Sequence, residues 1–327
     1  MILDEYAQYL SGIRNLSDKT VKTYIKTLKR INNSFDKNIE DITIEEIGIY
    51  FSENNKRVNT KRLEQTIIKS FFSWYSEKYK RYNPAKDLRV QTKEEISPMI
   101  ITIDEVVKMI KYVGMNDFIS LQESAILCFL ADTGVRVSEL INVKLGHIEE
   151  ANDHLIVLIT GGKNTKTYVQ RQIPFCKFKE RSIIAEYFLA YYQTIKYVYK
   201  YNNENYLFQP IRNDNGQYKR ISIYTLIKTI AKGTGITKKI SPHSFRHFYA
   251  TYSIINGMRL PVLQKRLGHK KIDTTMRYIH LADLYGKEQL EHNPLMQIKA
   301  PEEIRGFVKN MKEIIKKKER HNEIGNK

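Results

Sequence analysis

The sequence predicts a mainly α-helical protein with one small antiparallel β-sheet, divided into two units. Three observations predict this. Apolar side chains recur at three- and four-residue spacing through most of the chain, the period of an amphipathic helix. Runs rich in β-branched residues stand out in one place, between His154 and Ile173. Residues 93–101, Lys-Glu-Glu-Ile-Ser-Pro-Met-Ile-Ile, interrupt the helical pattern, because Pro98 disfavours helix at Ser97.

Residues 1–92 read as a helical bundle. Ser17 is placed to cap a helix with Val21, Tyr24, Ile25, Leu28 and Ile31 on one face and Lys22, Lys26, Lys29 and Arg30 on the other. Thr43 with Glu46 makes a capping box before a short helix. Leu63, Ile67, Phe71 and Trp74 form the apolar stripe of a longer one.

After a linker at 93–101, the second unit is predicted over 102–300. A capping box, Thr102 with Glu105, opens it, and an apolar helix from about Leu121 to Asp132 follows. His154–Ile159 and Tyr168–Ile173 read as two strands, with Gly161, Gly162 and Asn164 supplying the hairpin turn. A helix from Ile183 to Tyr199, a polar turn at Asn213–Gly216 and further helices to about Glu291 complete the unit. In the tail, 301–327, apolar Ile304, Phe307, Val308, Met311, Ile314 and Ile315 are backed by lysines at helical spacing. That basic amphipathic helix docks on its own domain or on a neighbouring subunit.

At 327 residues the chain can bury roughly three quarters of its unfolded surface in two domains. Its longest apolar run, Ala125 to Ala131, is far short of the ~18 residues of a spanning helix, so no membrane segment is expected. Acids at the N-terminus, where a secretory signal carries positive charge, point to a cytoplasmic protein. Cys128 and Cys176 each lie in apolar stretches and form neither a disulfide framework nor a zinc spacing. The 54 basic and 36 acidic residues give a net charge of +18, which favours polyanionic partners.

Four segments carry chemistry together. In Thr133-Gly134-Val135-Arg136-Val137-Ser138-Glu139-Leu140 a glycine ends the apolar helix and delivers an arginine just after it. The hairpin turn carries Lys163 and Lys166. His243-Ser244-Phe245-Arg246-His247 follows Pro242 at a helix start, so the i, i+3 spacing puts His243 and Arg246 on one face. Leu267-Gly268-His269 is followed by Tyr278 nine residues after the histidine.

On these four boxes the sequence resembles the tyrosine recombinases, or phage-integrase-type site-specific recombinases, and among them the shorter Xer-like members. The resemblance covers nearly the whole chain. It implies a helical core-binding, DNA-clamping domain at 1–92 and an α+β catalytic domain at 102–300. It implies that Arg136, Lys166, His243, Arg246, His269 and Tyr278 are catalytic. Phe245 stands where leucine is commoner in the family, an apolar exchange that alters packing alone.

The chemistry asks for these residue types. Attack of an oxygen on a phosphodiester builds negative charge on the nonbridging oxygens, which fixed guanidinium ions stabilise through planar forks of donors. Arg136 and Arg246 supply that clamp. By resemblance His269 adds a hydrogen bond, His243 assists proton transfer and Tyr278 is the nucleophile, leaving a 3′-phosphotyrosyl link. A free phenol is largely protonated at neutral pH and gains reactivity from a cationic site and a base. The departing 5′-hydroxyl needs a general acid. Lys166 matches the family context better than Lys163. Glu139 supports the site through hydrogen bonds, and His247 is read as structural support. Arg266, Arg277, Lys265, Lys270 and Lys271 are read as solvated or phosphate-positioning.

The expected function is a site-specific DNA recombinase that needs no cofactor, metal or ATP. It would act on double-stranded DNA as a homo-tetramer, in the cytoplasm at the nucleoid, through a Holliday junction. Two other readings share some features. A type IB topoisomerase-like or resolving enzyme forms the same phosphotyrosine but acts alone. A helix-turn-helix regulator, using Ala250–Leu267 around Asn256-Gly257, binds DNA without catalysis and leaves Arg136, Lys166 and Tyr278 unexplained.

Overall fold

A computed structural model describes residues 2–35, 37–53, 56–92, 100–160, 170–177, 182–210 and 216–285. The chain divides into two compact units, Met1–Ile96 and Ser97–Lys327. No described helix is long and apolar enough to cross a membrane.

The first unit is built from α1 (Ile2–Gly12), α2 (Asp18–Asn32), α3 (Ile44–Glu53) and α4 (Val58–Tyr79). The Ser17 hydroxyl accepts the Thr20 backbone N–H at 3.3 Å and so starts α2. Thr43 and Glu46 bond reciprocally, at 2.8 and 3.4 Å, ahead of α3. Tyr6, Leu10, Leu28, Ile31, Ile67, Phe71 and Trp74 form the core. Leu63, expected on the apolar stripe of α4, is 45% exposed instead. The neighbouring places on the buried face belong to Glu64 and Gln65, whose polar atoms are satisfied. Glu64 pairs with Arg30, with Lys56 at 3.0 Å and with the Tyr50 hydroxyl at 3.2 Å, while the Gln65 side-chain oxygen accepts the Gln91 N–H at 2.9 Å.

The second unit runs α5 (Ile103–Val113), α6 (Phe118–Thr133), α7 (Val137–Leu140), β1 (Ile148–Glu150), β2 (Leu155–Ile159), β3 (Arg171–Phe175) and α8 (Ile183–Gln193). It continues with α9 (Arg220–Gly233), α10 (Pro242–Ile255), α11 (Leu260–Leu267) and α12 (Asp273–Tyr285). The Thr102–Glu105 capping box starts α5 as its spacing predicts. Helix α6 is central: Ala125 through Ala131 are all buried, and Phe129 meets the rings of Phe175, Phe188 and Phe208 at 5.1, 5.9 and 5.7 Å. Each such ring or leucine contributes about 1.5–3 kcal/mol on burial. This cluster fixes the end of β3 against α6.

The sheet has strand order β1-β2-β3 and is antiparallel throughout, with Ile148 opposite Val157 and Val157 opposite Ile173. The sequence reading found a two-stranded hairpin; the sheet has a third strand, β1, whose three residues are too few to show a period. The last strand runs on to Phe175, past the expected end at Ile173. Pro174 is tolerated there because β3 is an edge strand, paired on one side to β2. The hairpin residues Gly161–Tyr168 lie outside the described residues, as does the predicted helix of the tail at 301–327. The helix expected over Ile183–Tyr199 is α-helical to Gln193 and then widens into a π turn, Thr194–Val198.

Candidate active site

Four short segments of the second unit build one pocket. Helix α6 ends on Gly134, which takes φ +59° and donates its N–H to the Leu130 carbonyl at 3.1 Å. A Cβ at this position would lie 2.4 Å from Cδ1 of Tyr249, so both the backbone twist and the space require glycine. The turn sets Arg136 ahead of α7. The Arg136 backbone N–H donates to Glu139 Oε2 at 2.8 Å and its Nη1 to Glu139 Oε1 at 3.1 Å, while the side chain remains 39% exposed.

Pro242 occupies the first turn of α10, where its missing N–H costs nothing, and Arg246 follows one turn later. Arg246 is only 1% exposed. Its Nη1 donates to the Gly134 carbonyl at 2.8 Å, and its Nη2 donates to the Leu267 carbonyl at 2.6 Å and to His269 Nε2 at 2.8 Å. Arg136 Nη1 reaches that same Leu267 carbonyl at 3.4 Å. Desolvation, then the Arg136 charge, lower the Arg246 pKa to about 10, so the guanidinium stays charged at neutral pH.

His269 follows Gly268, which closes α11 at φ +64°. Arginine has no acceptor, so His269 Nε2 accepts from Arg246 and the ring proton sits on Nδ1, donated to Thr275 Oγ1 at 2.9 Å. Desolvation, then Arg246, Arg136 and Arg277, depress the His269 pKa to about 3. Desolvation first, then His243, Arg277 and Arg246, hold His247 at about 3. His243 is open to solvent, and its pKa is lowered by partial desolvation and by Arg246, Arg277 and Arg136.

Tyr278 lies on the inner face of α12 with Thr275, Leu281 and Ala282, and is 0% exposed. Its ring stacks on His269 at 6.2 Å with planes 6° apart, and lies 5.5 Å from the His247 ring. Arg277 stands over the ring at 5.2 Å and donates to the hydroxyl at 3.4 Å. His243 joins the group through His247, ring to ring at 4.4 Å. Arg136, His243, Arg246, His269 and Tyr278 are thus held in one neighbourhood by α6, α7, α10, α11 and α12. Lys166 and Lys163 lie outside the described residues.

Sequence reasoning missed two members. Thr275, fully buried, fixes the His269 ring. Arg171, on β3, makes a two-pronged pair with Glu139 at 3.2 and 2.8 Å. Strand alternation could have found Arg171, since period two from Phe175 and Ile173 puts it on the buried face, where an arginine needs a carboxylate. The helix pair α10–α11, read as a possible DNA reader, supplies Arg246 and the Leu267 carbonyl of this pocket.

Residues 100–284 match the phage integrase family, and residues 2–80 match the phage integrase N-terminal SAM-like domain. The chain is 28% identical over 291 residues to tyrosine recombinase XerD of Staphylococcus saprophyticus, covering 86% of this chain and 94% of that one. It is 27% identical over 297 residues to XerD of Listeria monocytogenes, covering 88% and 96%. Among solved structures, a lambda integrase dimer bound to a COC′ core site superposes with a TM-score of 0.65 at 20% identity, covering 88% of this chain and 77% of that one. The Tn1549 transposon integrase in complex with transposon right end DNA gives 0.64 at 18% identity, covering 89% and 99%. These two likenesses establish the fold.

Proposed function

The chain belongs to the phage integrase family of tyrosine recombinases, and on that basis we propose that it recombines duplex DNA at specific sites through a covalent link to Tyr278. The observation that carries this reading is the convergence of Arg136, Arg246 and His269 on one small volume, with the Tyr278 ring stacked on His269. That volume is cationic and lined with fixed donors, which suits an anionic phosphorus centre.

In the proposed reaction the Tyr278 oxygen bonds to phosphorus, the bond to the 5′-oxygen breaks, and a 3′-phosphotyrosyl link with a free 5′-hydroxyl results. The phenolic proton leaves to a base, for which the neutral His243 is the candidate. The departing 5′-oxygen takes a proton from Lys166. Arg136 and Arg246 exchange the Leu267 carbonyl for the phosphate oxygens. A phosphate in the pocket also replaces His269 as acceptor for Arg246, and its negative charge favours the protonated imidazole, which then donates to it. Because Tyr278 is buried, the packing around its hydroxyl opens before attack.

The phosphotyrosyl bond conserves the energy of the phosphodiester, so the 5′-hydroxyl of another strand reverses the step without metal or ATP. Exchange in pairs through a Holliday junction calls for four copies on two duplexes. In this reading residues 1–92 clamp the duplex, 93–101 link, and 102–300 catalyse. On the same reading the protein acts on nucleoid DNA in the cytoplasm, and the +18 net charge supports a salt-sensitive affinity for that DNA.

The test is to incubate the purified chain with fragments of its own replicon and sequence the covalently captured ends. A protein–DNA adduct that survives denaturant and is absent with Tyr278→Phe is expected. Equal adduct from Tyr278→Phe overturns the assignment, and relaxation of supercoils without sequence preference would favour topoisomerase-like action.

A further inference from the structure

Arg171 is an arginine on the inner face of an edge strand. It lies opposite Ile159 and is 3% exposed. A guanidinium buried this way is costly unless its donors find acceptors. Those acceptors belong to the two limbs of the pocket. Nη1 and Nη2 donate to Glu139, at 3.2 and 2.8 Å, and Glu139 in turn accepts from the backbone and the guanidinium of Arg136. Nε donates to the Arg266 carbonyl at 2.6 Å, one residue before the Leu267 carbonyl shared by Arg136 and Arg246. Next in the chain is Gly268, where a Cβ would fall 3.0 Å from Arg171 Nη1 and 3.1 Å from Cζ. The glycine lets the guanidinium lie flat against the turn that presents His269.

We infer that Arg171 is a positioning residue for phosphate capture, holding Glu139 and the Arg266–Gly268 turn so that Arg136, Arg246 and His269 converge. The inference rests on the recombinase reading. Arg171 touches none of the reacting atoms; it fixes the separation of the two limbs. Lysine cannot replace it, because one ammonium group has no fork to span both Glu139 oxygens while reaching the Arg266 carbonyl. A shift of about 1 Å in groups that hold a reacting phosphate costs up to ~10²-fold in rate.

The experiment is a double-mutant cycle on the full chain, using the duplex fragment that captures the wild type. Single-turnover adduct formation is measured for wild type, Arg171→Lys, Arg136→Lys and the double variant, with DNA affinity by fluorescence anisotropy and melting temperature in parallel. Arg171→Lys is expected to slow adduct formation about 10- to 100-fold and to change DNA affinity less than about 3-fold. In the Arg136→Lys background it is expected to add less than about 3-fold, because both changes disable one unit. Wild-type cleavage by Arg171→Lys overturns the inference, and so does a full multiplicative loss on top of Arg136→Lys. If Arg171→Lys does not fold, Glu139→Gln carries the same cycle with the same expected outcomes. A wild-type chain that forms no adduct on any duplex overturns the recombinase reading itself, a result distinct from a cleaving wild type with an indifferent Arg171.

Discussion

Arg136 and Arg246 donate to the same acceptor, the carbonyl oxygen of Leu267, at 3.4 and 2.6 Å. Two like charges meet on one oxygen, and the buried carboxylate of Glu139 beside Arg136 offsets their repulsion. A backbone carbonyl is a weaker partner than an anionic phosphate oxygen, so in the proposed reaction the pair exchanges one for the other. Arg136→Ala and Arg246→Ala are each expected to reduce adduct formation by about 10²-fold or more while keeping DNA affinity within about 10-fold. Equal losses of binding and cleavage, measured by anisotropy and single-turnover kinetics, would show that the arginines merely hold DNA.

Gly134 joins fold and site, since it ends α6 at φ +59° and its carbonyl accepts from Arg246 at 2.8 Å. Gly134→Ala adds a methyl group 2.4 Å from the Tyr249 ring in a backbone region that alanine resists. Chemical denaturation is expected to show a loss of about 2 kcal/mol or more. Adduct formation is expected to fall further than the folded fraction does, because the displaced turn carries Arg136.

Thr275 fixes the His269 ring from the side opposite Arg246. Thr275→Val keeps the volume but leaves the His269 Nδ1–H without its acceptor and the ring without its second anchor, while Arg246 still fixes the tautomer. Adduct formation is expected to fall about 10-fold with DNA affinity retained. Thr275→Ser, which keeps the hydroxyl, is expected to stay near wild type.

Both His247 and His269 have pKa values of about 3 in the folded chain, below the ordinary histidine value near 6.5. Between these values the unfolded chain binds protons that the folded chain does not, so stability falls as pH drops below about 6.5. Carboxylates with lowered pKa values, such as Glu105 and Glu150, act in the same direction only below about 4.5, so from about 6.5 to 4.5 the histidines drive the fall and Glu123 and Asp132, whose pKa values burial raises, oppose it. The melting temperature is expected to decline across that interval, and a His247→Asn, His269→Asn chain is expected to decline less. Equal slopes would count against buried, neutral imidazoles.

Much of the architecture was legible because it rests on local signals. Ser17, the Thr102–Glu105 box, Gly134 and Pro242 all mark helix ends where the structure has them, through side-chain caps, a left-handed turn and a missing donor. Strand β1 was not legible, since three residues carry no period. Leu63 was misplaced because pattern alone did not reveal that paired Glu64 takes the inner position. At the site, Arg136, His243, Arg246, His269 and Tyr278 stood out as short motifs in series, and the family resemblance implied their roles. Arg171 and Thr275 did not, because their roles depend on partners 32 and 6 residues away that only folding brings into register.

The most direct measurement is the identity of the residue that carries DNA. After capture on a nicked duplex, nuclease and protease digestion followed by mass spectrometry locates the nucleotide on one peptide. The account predicts a single modified tyrosine, Tyr278, among the 22 in the chain. A nucleotide on any other tyrosine, or cleaved duplex with no protein attached, would contradict it.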